Sequence, residues 1–547
     1  MKKFLALVLA LAMIATMGIT SAFAADDGFV DGKFTETRHI TVEVFERTNE
    51  GCTDPTTTAF AQYLQKAMLE NYNVEVEYKS VVRFPEDEEI PNLLSAKTAP
   101  DVCYTYNAGA IQRQAAMTDE NGNPGIIDLK PYLDEYKEYL GDIIALLGDE
   151  SNLYYRQDPE TGAVYYLEAA KPDLARITTF IRKDWLDALE LPVPTTEEEF
   201  HDCLVAFRDN AEKLLGADAD KMVPYSTSTD IGWRNDLLSI SKVAENIDDE
   251  TLFVYGYDDR HLLYPGYKEG IRVLNQWYNE GLVWKSFAEH TDSTDEDNMI
   301  KAGYVGAFMH NWDYPFRNGN DSIANTLKRT VGENAEFIPV DCFKNDAGIT
   351  RKYVGSPVGS DRKIFFPSTN TEILASLLYL NFICKPETIQ FLQLGQEGIN
   401  YQIKEDGTLE TMAADGDYHI NSGDNIDYTM LLNGVHLGDP ELSAAATKSS
   451  YIGIDPEMVA LANEYGRSNY RIAKNYNVGT IEAENDMNEV LKKKRDELLT
   501  KAVTASVENF DSVYDEYMED YLSSGGQEII DERIEKLERF YGIKYEK

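Results

Sequence analysis

Hydrophobic and polar positions alternate in two short stretches near the start of the chain, and this pattern predicts β-strands. The stretches are residues 40–45 (I-T-V-E-V-F) and 74–78 (V-E-V-E-Y), where a period of two puts every second side chain on one face of a sheet. Between them, residues 57–70 carry apolar side chains at helical spacing, and a helix over 86–97 and a strand over 100–104 follow. This alternation of strands and helices predicts an α/β fold with a parallel sheet.

Helical patterns dominate the rest of the chain. One helix is predicted to begin at Thr196, because its hydroxyl and the Glu199 carboxylate have the spacing of a capping box. Further helices are predicted over 267–280, 371–384 and 481–541, the last of them broken at Gly525 and Gly526. The chain of 547 residues is also longer than one hydrophobic core usually serves. Two lobes and a helical C-terminal extension are therefore expected.

The segment from Met1 to Ala24 has the composition of a secretory signal peptide. Lys2 and Lys3 precede an apolar run, and A-F-A at 22–24 is a typical cleavage site. The first cysteine is Cys52, so the cysteine that carries the lipid of a lipoprotein is missing from the cleavage site. No later segment is apolar enough for a membrane span. We expect an exported protein, secreted or periplasmic, that is soluble or held peripherally at the membrane.

Charge and cysteine content exclude several function classes. Lys and Arg number 51 against 95 Asp and Glu, a formal net charge of −44, which repels nucleic-acid phosphates and anionic lipid. The 5 cysteines are far apart and include no C-x-x-C. Neither a disulfide scaffold nor a zinc site is indicated, although one or two long-range disulfides remain possible. We expect no metal, no cofactor and no nucleic-acid partner.

The common catalytic motifs are missing from the sequence. It contains no G-x-S-x-G, Walker A loop, G-x-G-x-x-G or H-E-x-x-H, and its 7 histidines are scattered without ligand spacing. A glycosidase needs only two carboxylates about 5 to 10 Å apart, and 95 acidic residues leave such pairs open. A binding protein rather than an enzyme is expected, with a secreted carbohydrate-active enzyme as the remaining alternative from another class.

Five short strings occur in a set order along the chain. They are I-R-K-D-W-L-D-A-L-E-L (181–191), P-V-P-T-T-E-E-E-F (192–200), Y-N-E-G-L (278–282), Y-V-G-A-F (304–308) and L-G-Q-E-G-I-N-Y (394–401). In this order the chain resembles the family 1 extracellular solute-binding proteins, in particular the long type related to the LipO lipoproteins. The resemblance covers residues 40–541. It implies the type II periplasmic-binding-protein fold, with two α/β lobes joined by a hinge.

The resemblance also implies a function. The chain is expected to be the receptor of an ABC-type importer, to hold a carbohydrate, in particular an oligosaccharide, between its lobes as a monomer, and to deliver it to the transmembrane subunits of a permease. A receptor for a peptide or another polar solute on the same fold is the alternative. Members of this group often carry a calcium loop after the helix that follows T-T-x-x-E-F. The matching segment here is A-D-A-D-K at 217–221, where a lysine and two alanines replace oxygen ligands, so no calcium is expected.

The expected two-lobed fold also predicts which segments of the chain form each lobe. The first lobe is predicted to span 38–175 and 303–366, and the second lobe is predicted to span 176–302 and 367–547. The chain would then cross between the lobes near 175–179, 297–303 and 366–371.

Candidate ligand contacts are residues that follow predicted strands, because α/β sheets present ligands at the carboxyl ends of their strands. Aromatic rings can pack against the C–H faces of a sugar, and charged or amide side chains order its hydroxyls. Trp233, in a polar loop, and Trp312, directly after an apolar strand, are the main aromatic candidates. The full set of predicted ligand residues is Arg47, Tyr106, Asn107, Asp230, Trp233, Arg234, Trp312, Asp313 and Tyr314.

Overall fold

The structure is a computed structural model of the whole chain. It describes residues 28–46, 53–83, 86–118, 122, 124–228, 231–243, 246–257, 261–289, 294–405, 409–412, 414, 418 and 427–546. The predicted signal peptide, residues 1–24, lies outside the described residues. Within them, no helix is both long enough and apolar enough to cross a membrane.

Fifteen strands are numbered in chain order within the described residues. They are β1 (Phe29–Val30), β2 (Lys33–Phe34), β3 (Arg38–Glu46), β4 (Val74–Val82), β5 (Cys103–Thr105), β6 (Leu167–Ala170), β7 (Ile177–Arg182), β8 (Val223–Ser226), β9 (Val305–Asn311), β10 (Phe337–Val340), β11 (Lys352–Val354), β12 (Val358–Phe365), β13 (Tyr401–Ile403), β14 (Leu409–Thr411) and β15 (Tyr470–Ile472).

The helices are numbered in the same way. They are α1 (Ala59–Tyr72), α2 (Glu86–Ala96), α3 (Ala108–Ala116), α4 (Lys130–Tyr136), α5 (Gly141–Leu147), α6 (Lys183–Ala188), α7 (Glu197–Asp209), α8 (Ala211–Leu215), α9 (Ile231–Arg234), α10 (Asp236–Ile240), α11 (Asp249–Tyr255), α12 (Tyr267–Asn279), α13 (Thr294–Lys301), α14 (Ile323–Val331), α15 (Ile373–Ile383), α16 (Pro386–Leu394), α17 (Pro440–Ser449), α18 (Pro456–Arg467), α19 (Glu482–Thr504), α20 (Phe510–Tyr521) and α21 (Gln527–Tyr541).

The first sheet is built on the alternating strands found in the sequence. Strands β3 and β4 are parallel and in register, with Ile40 beside Val76, and both of these side chains are buried. A bridge between Val42 and Val102 brings β5 beside β3, and β12 then lies between β5 and β6, antiparallel to both. The predicted start of strand, helix, strand, helix, strand is confirmed.

The second sheet has the order β10-β7-β9-β8. Strand β9 runs parallel to β8 and antiparallel to β7. The partners Phe180 and Phe308 stack their rings with centroids 5.4 Å apart, so aromatic packing reinforces this pairing. Each sheet has its own hydrophobic core, and the two-lobed α/β fold class predicted from the sequence is confirmed.

The division of the chain between the lobes differs from the predicted one in two places. The prediction puts the segment 303–366 in the first lobe, but β9 and β10 belong to the second sheet, and only β12 lies in the first. The prediction also puts the segment 367–547 in the second lobe, yet described residues between Ile373 and Ala446 contribute to the first core. Helix α15 is buried all round there, and a helix with no polar face carries no pattern that identifies its neighbours.

The crossings between the lobes follow from this division. One crossing, at 171–176 between β6 and β7, lies beside the predicted segment 175–179. Another runs from β10 to β12, and a later one leads from α17 back to the second lobe at α18, which packs against β7 and β10. Strand β11, on the crossing from β10 to β12, pairs in parallel with β15, which follows α18. The predicted crossings at 297–303 and 366–371 are wrong, since each of those segments stays within one lobe.

The C-terminal helices α19, α20 and α21 pack on the core of the second lobe. They confirm the helical prediction for 481–541, including its break, where Gly525 has a φ of 130°. An added Cβ at Gly525 would lie 2.6 Å from Cγ of Met487. Glycine is therefore required at this position both by the backbone conformation and by the close approach of α19.

Candidate functional site

The crossings between the lobes join the carboxyl edges of the two sheets. Strands β3, β4, β5 and β6 end at residues 46, 82, 105 and 170, and the antiparallel β12 starts at the same edge at 358. In the second sheet, β8, β9 and β10 end at 226, 311 and 340, and β7 starts beside them at 177. The crossing 171–176 joins the edge at 170 to the edge at 177, and the crossing 341–357 joins 340 to 358. A cleft between these two edges is the candidate site.

Tyr106 and Asn107, both predicted ligand residues, lie on the first-lobe wall of this cleft. Asn107 is the N-cap of α3, and its side chain accepts a hydrogen bond from the Ala110 N–H at 3.2 Å. The half-buried ring of Tyr106 is nearly parallel to that of Phe45, at 13°. The guanidinium carbon of Arg83 lies 4.5 Å from the Tyr106 ring centroid, within the range of a cation–π contact.

Arg83 was missed by the sequence reasoning. It directly follows β4, just as Arg47 follows β3 and Tyr106 follows β5, so its position relative to a strand end was the available signal. Arg47 and Asp230 lie outside the described residues, and so does the side chain of Trp233, whose backbone forms part of α9.

Arg234 lies beneath the opposite wall, where it is held in a buried ion pair with Glu296. The two side chains are 2% and 1% exposed. The guanidinium donates to both Glu296 carboxylate oxygens, to Ser228 Oγ at 3.1 Å and to the Met309 carbonyl at 3.2 Å. Burial alone lowers the pKa of Arg234, but the Glu296 carboxylate outweighs it and holds the pKa above its usual range. Arg234 is thus occupied by protein groups, and it ties β8, β9 and α13 together.

Tyr314 also bonds to α13, the helix that carries Glu296. Its hydroxyl donates to the two carboxylate oxygens of Asp297 at 2.8 and 2.9 Å, and its ring stacks on His310 with centroids 3.3 Å apart. Burial raises the pKa of Asp297 to about 6, against the opposing effect of the Tyr314 hydrogen bond. The carboxyl group therefore changes charge close to neutral pH.

Trp312 packs against α18, and Asp313 is bonded to neighbouring side chains. The Trp312 side chain is 8% exposed, and its ring meets Tyr451 edge-on at 6.0 Å. An added Cβ at Gly466 would lie 2.9 Å from Cβ of Trp312, so α18 approaches this residue closely. Asp313 accepts hydrogen bonds from Arg317 at 2.6 and 3.0 Å and from the Tyr451 hydroxyl at 3.0 Å.

The described residues contain no group of three or more His, Cys, Asp or Glu side chains that could hold a metal ion. In the segment where no calcium is expected, Nζ of Lys221 lies 2.8 Å from Oδ1 of Asp218, so an ammonium group already neutralises that carboxylate. Four of the cysteines are buried free thiols, namely Cys103, Cys203, Cys342 and Cys384. Cys52 lies outside the described residues.

No protein-family model matches the sequence, but two curated proteins of Bacillus subtilis are similar to it. Lipoprotein LipO is 24% identical over 306 residues, which are 52% of this chain and 54% of LipO. The match thus spans about half the length of that relative. The polygalacturonan/rhamnogalacturonan-binding protein YtcQ is 23% identical over 393 residues, which are 69% of this chain and 71% of YtcQ.

Solved structures match nearly the whole chain. The alginate-binding protein AlgQ2 superposes with a TM-score of 0.63 at 14% identity, covering 91% of this chain and 97% of AlgQ2. The Streptococcus pneumoniae ABC-transporter substrate-binding protein FusA, in complex with kestose, gives a TM-score of 0.64 at 15% identity and covers 92% of this chain and 100% of FusA.

The chain shares its fold with AlgQ2 and FusA, two solute-binding proteins. The resemblance to the family 1 solute-binding proteins drawn from the sequence strings is thereby confirmed. Within this fold, Tyr106 and Arg83 lie at the carboxyl edge of the first sheet, and Arg234 bonds to residues at the carboxyl ends of β8 and β9.

Proposed function

We propose that this chain is the extracytoplasmic receptor of an ABC-type importer and that it binds an oligosaccharide in the cleft between its lobes. The observation that carries the proposal is that the crossings 171–176 and 341–357 each join the carboxyl edge of one sheet to the carboxyl edge of the other. Ligands of α/β sheets bind outside the carboxyl ends of the strands, and here two such edges can hold one solute from both sides. The similar proteins are named as binders of alginate, kestose and polygalacturonan.

The ligand contacts in this proposal come from the strand ends. On the first-lobe wall these are Tyr106 and Asn107, with Arg83 added because it packs on the Tyr106 ring. Arg47, Asp230 and the side chain of Trp233 lie outside the described residues, and they stay predicted ligand contacts from the sequence. Beneath the second-lobe wall Arg234, Trp312, Asp313 and Tyr314 form a second layer, since their polar groups already bond to protein and Trp312 is buried.

Binding without chemistry is the activity proposed. The similar proteins are binding proteins and not enzymes. After export and cleavage near Ala24, the mature protein would act as a monomer outside the cytoplasm and pass its solute to the transmembrane subunits of a permease. Closure of the lobes would follow from a ligand that contacts both walls, to the extent of its higher affinity for the closed state.

A thermal-shift screen of the mature chain tests this function. The probes are oligosaccharides of galacturonan, alginate, inulin and mannan, and a peptide mixture from digested casein. A bound sugar at one hundred times its Kd should stabilise the protein by about 2.7 kcal/mol, and chromatography of the sugar afterwards should show no cleavage. Stabilisation by the peptides alone, or release of sugar products, would contradict the proposal.

Two variants locate the binding site once a sugar has been found. Tyr106→Ala should weaken its binding by about 1 to 3 kcal/mol, the usual cost of removing an aromatic contact from a binding site. Tyr72→Ala is the matched control, because Tyr72 is also half-buried in the first lobe but precedes β4 at the opposite edge of the sheet. Equal affinities for the two variants would place the ligand away from the Tyr106 wall.

A further inference from the structure

A helix of the C-terminal extension contacts the first lobe at the wall of the cleft. Arg113, on α3, donates a hydrogen bond from Nη1 to the carbonyl of Asn485 on α19 at 3.1 Å. On the preceding turn of α3, Gly109 lies so close to α19 that an added Cβ would be 2.8 Å from the Asn485 Oδ1. The two helices are far apart in the sequence, so only the tertiary arrangement brings them together.

The two helices belong to different lobes. Helix α3 contributes Ile111 and Ala115 to the core of the first lobe, and α19 contributes Leu491 and Leu498 to the core of the second. Neither helix is part of a crossing between the lobes. A contact between them therefore depends on how the lobes are placed relative to each other.

The start of α19 is fixed firmly to the second lobe. The two carboxylate oxygens of Glu532, on α21, accept hydrogen bonds from the N–H groups of Glu482 and Ala483 at 2.9 Å. Arg533 pairs with the Glu484 carboxylate at 2.9 Å. Because α21 holds the first turn of α19 in this way, Asn485 moves with the second lobe and cannot follow α3 when the lobes separate.

The other partner is joined directly to the ligand wall. Helix α3 starts immediately after Asn107, its N-cap, which itself follows Tyr106. Any displacement of α3 relative to α19 is therefore a displacement of the Tyr106 wall relative to the second lobe. The contact includes one hydrogen bond, from Arg113 to Asn485, which is worth about a tenfold change in an equilibrium, so motion of the lobes can break it.

We propose that the contact of Gly109 and Arg113 with Asn485 is a latch between the lobes, which holds the cleft closed and is released when the lobes open. Glycine at position 109 is what allows the close approach of α19. The latch depends on the two-lobed fold and not on which solute the cleft binds, so its test uses the protein without ligand.

The test compares Gly109→Ala with Gly141→Ala in the full mature chain. Alanine is the better helix former, but an added Cβ at Gly109 would also lie 3.2 Å from Oδ1 of Asn107, the N-cap of α3, so Arg113→Met is measured beside it. The control Gly141 is the first residue of α5 in the same lobe, and an added Cβ there meets no heavy atom within 4 Å. The measurements are amide hydrogen exchange of residues 108–116 and 482–490, and the radius of gyration from small-angle scattering.

For Gly109→Ala we expect exchange in both segments to rise about tenfold, the size of one lost hydrogen bond, and the radius of gyration to increase. Exchange of β7 and β9 should not change, and Gly141→Ala should match the wild type throughout. Unchanged exchange, or faster exchange with an unchanged radius, would overturn the latch, since the contact would then not control the placement of the lobes. If Gly109→Ala fails to fold, Arg113→Met provides the same comparison by removing the donor to Asn485.

Discussion

The buried ion pair between Arg234 and Glu296 provides the sharpest stability prediction. We consider Arg234→Met, which keeps most of the side-chain volume but removes the guanidinium. Among the described residues, Glu296 then keeps only the hydrogen bond from Ser226 Oγ at 2.7 Å, and its side chain is 1% exposed. A buried carboxylate that loses its positive partner is left without compensation for its lost hydration.

The expected loss of stability follows from the burial of Glu296. Breaking a buried pair by removing one partner costs about 3 to 5 kcal/mol. For a lobe of about 150 to 250 residues, each kcal/mol lowers Tm by about 2 to 4 °C, so Arg234→Met should lower the Tm of the second lobe by roughly 6 to 20 °C. The double variant Arg234→Met, Glu296→Leu removes both charges, and it should recover most of this loss because no unpaired charge remains.

Tryptophan fluorescence isolates the lobe in question. All 5 tryptophans, at positions 185, 233, 277, 284 and 312, lie in the segment that forms the second lobe. Urea unfolding followed by fluorescence therefore reports on that lobe. The matched control is Arg329→Met in the same lobe, where the arginine side chain is 53% exposed and should contribute less than about 1 kcal/mol. A loss below about 1 kcal/mol for Arg234→Met, or a double variant as unstable as the single one, would refute the reasoning.

Three further predictions address other parts of the second lobe. Trp312→Ala should destabilise the fold by about 3 to 5 kcal/mol, as for a buried aromatic core residue; a variant of wild-type stability that only loses ligand affinity would show that the ring faces the cleft instead. Asp297→Asn should raise the free energy of unfolding at pH 8 by about 2 to 3 kcal/mol. Loss of the charge-assisted hydrogen bond from Tyr314 reduces this gain. The folded pKa of about 6 lies above the unfolded value, so the stability that its protonation contributes is present below about pH 4 and is lost as the pH rises through about 6. An equal gain at pH 4 and pH 8 would contradict this assignment. Finally, calcium should leave Tm unchanged because Lys221 already pairs with Asp218, and a melting temperature that falls with EDTA and recovers with calcium would show that this segment binds the ion.

The sequence determined the local elements of this protein. The alternation in β3 and β4 and the helical spacing in α1 are properties of neighbouring residues, and each puts one face of its element into a core. The cap at Thr196 is equally local, since its hydroxyl accepts from the Glu199 N–H at 3.2 Å in the structure. The ordered strings also identified the kind of fold, because a family keeps such local patterns in sequence.

Only the tertiary structure decided which elements share a lobe. Strand β9 is buried on both faces, so its pattern does not distinguish a place beside β7 from a place beside β5. The burial of Trp312 was equally hidden, because it depends on the close approach of Gly466 from the distant helix α18. Arg234 is predicted to meet a ligand because it is charged and near a strand end, yet Glu296 reaches it from another helix. Periodicity shows which side of an element is buried, but the partner on that side is chosen by packing between distant segments of the chain.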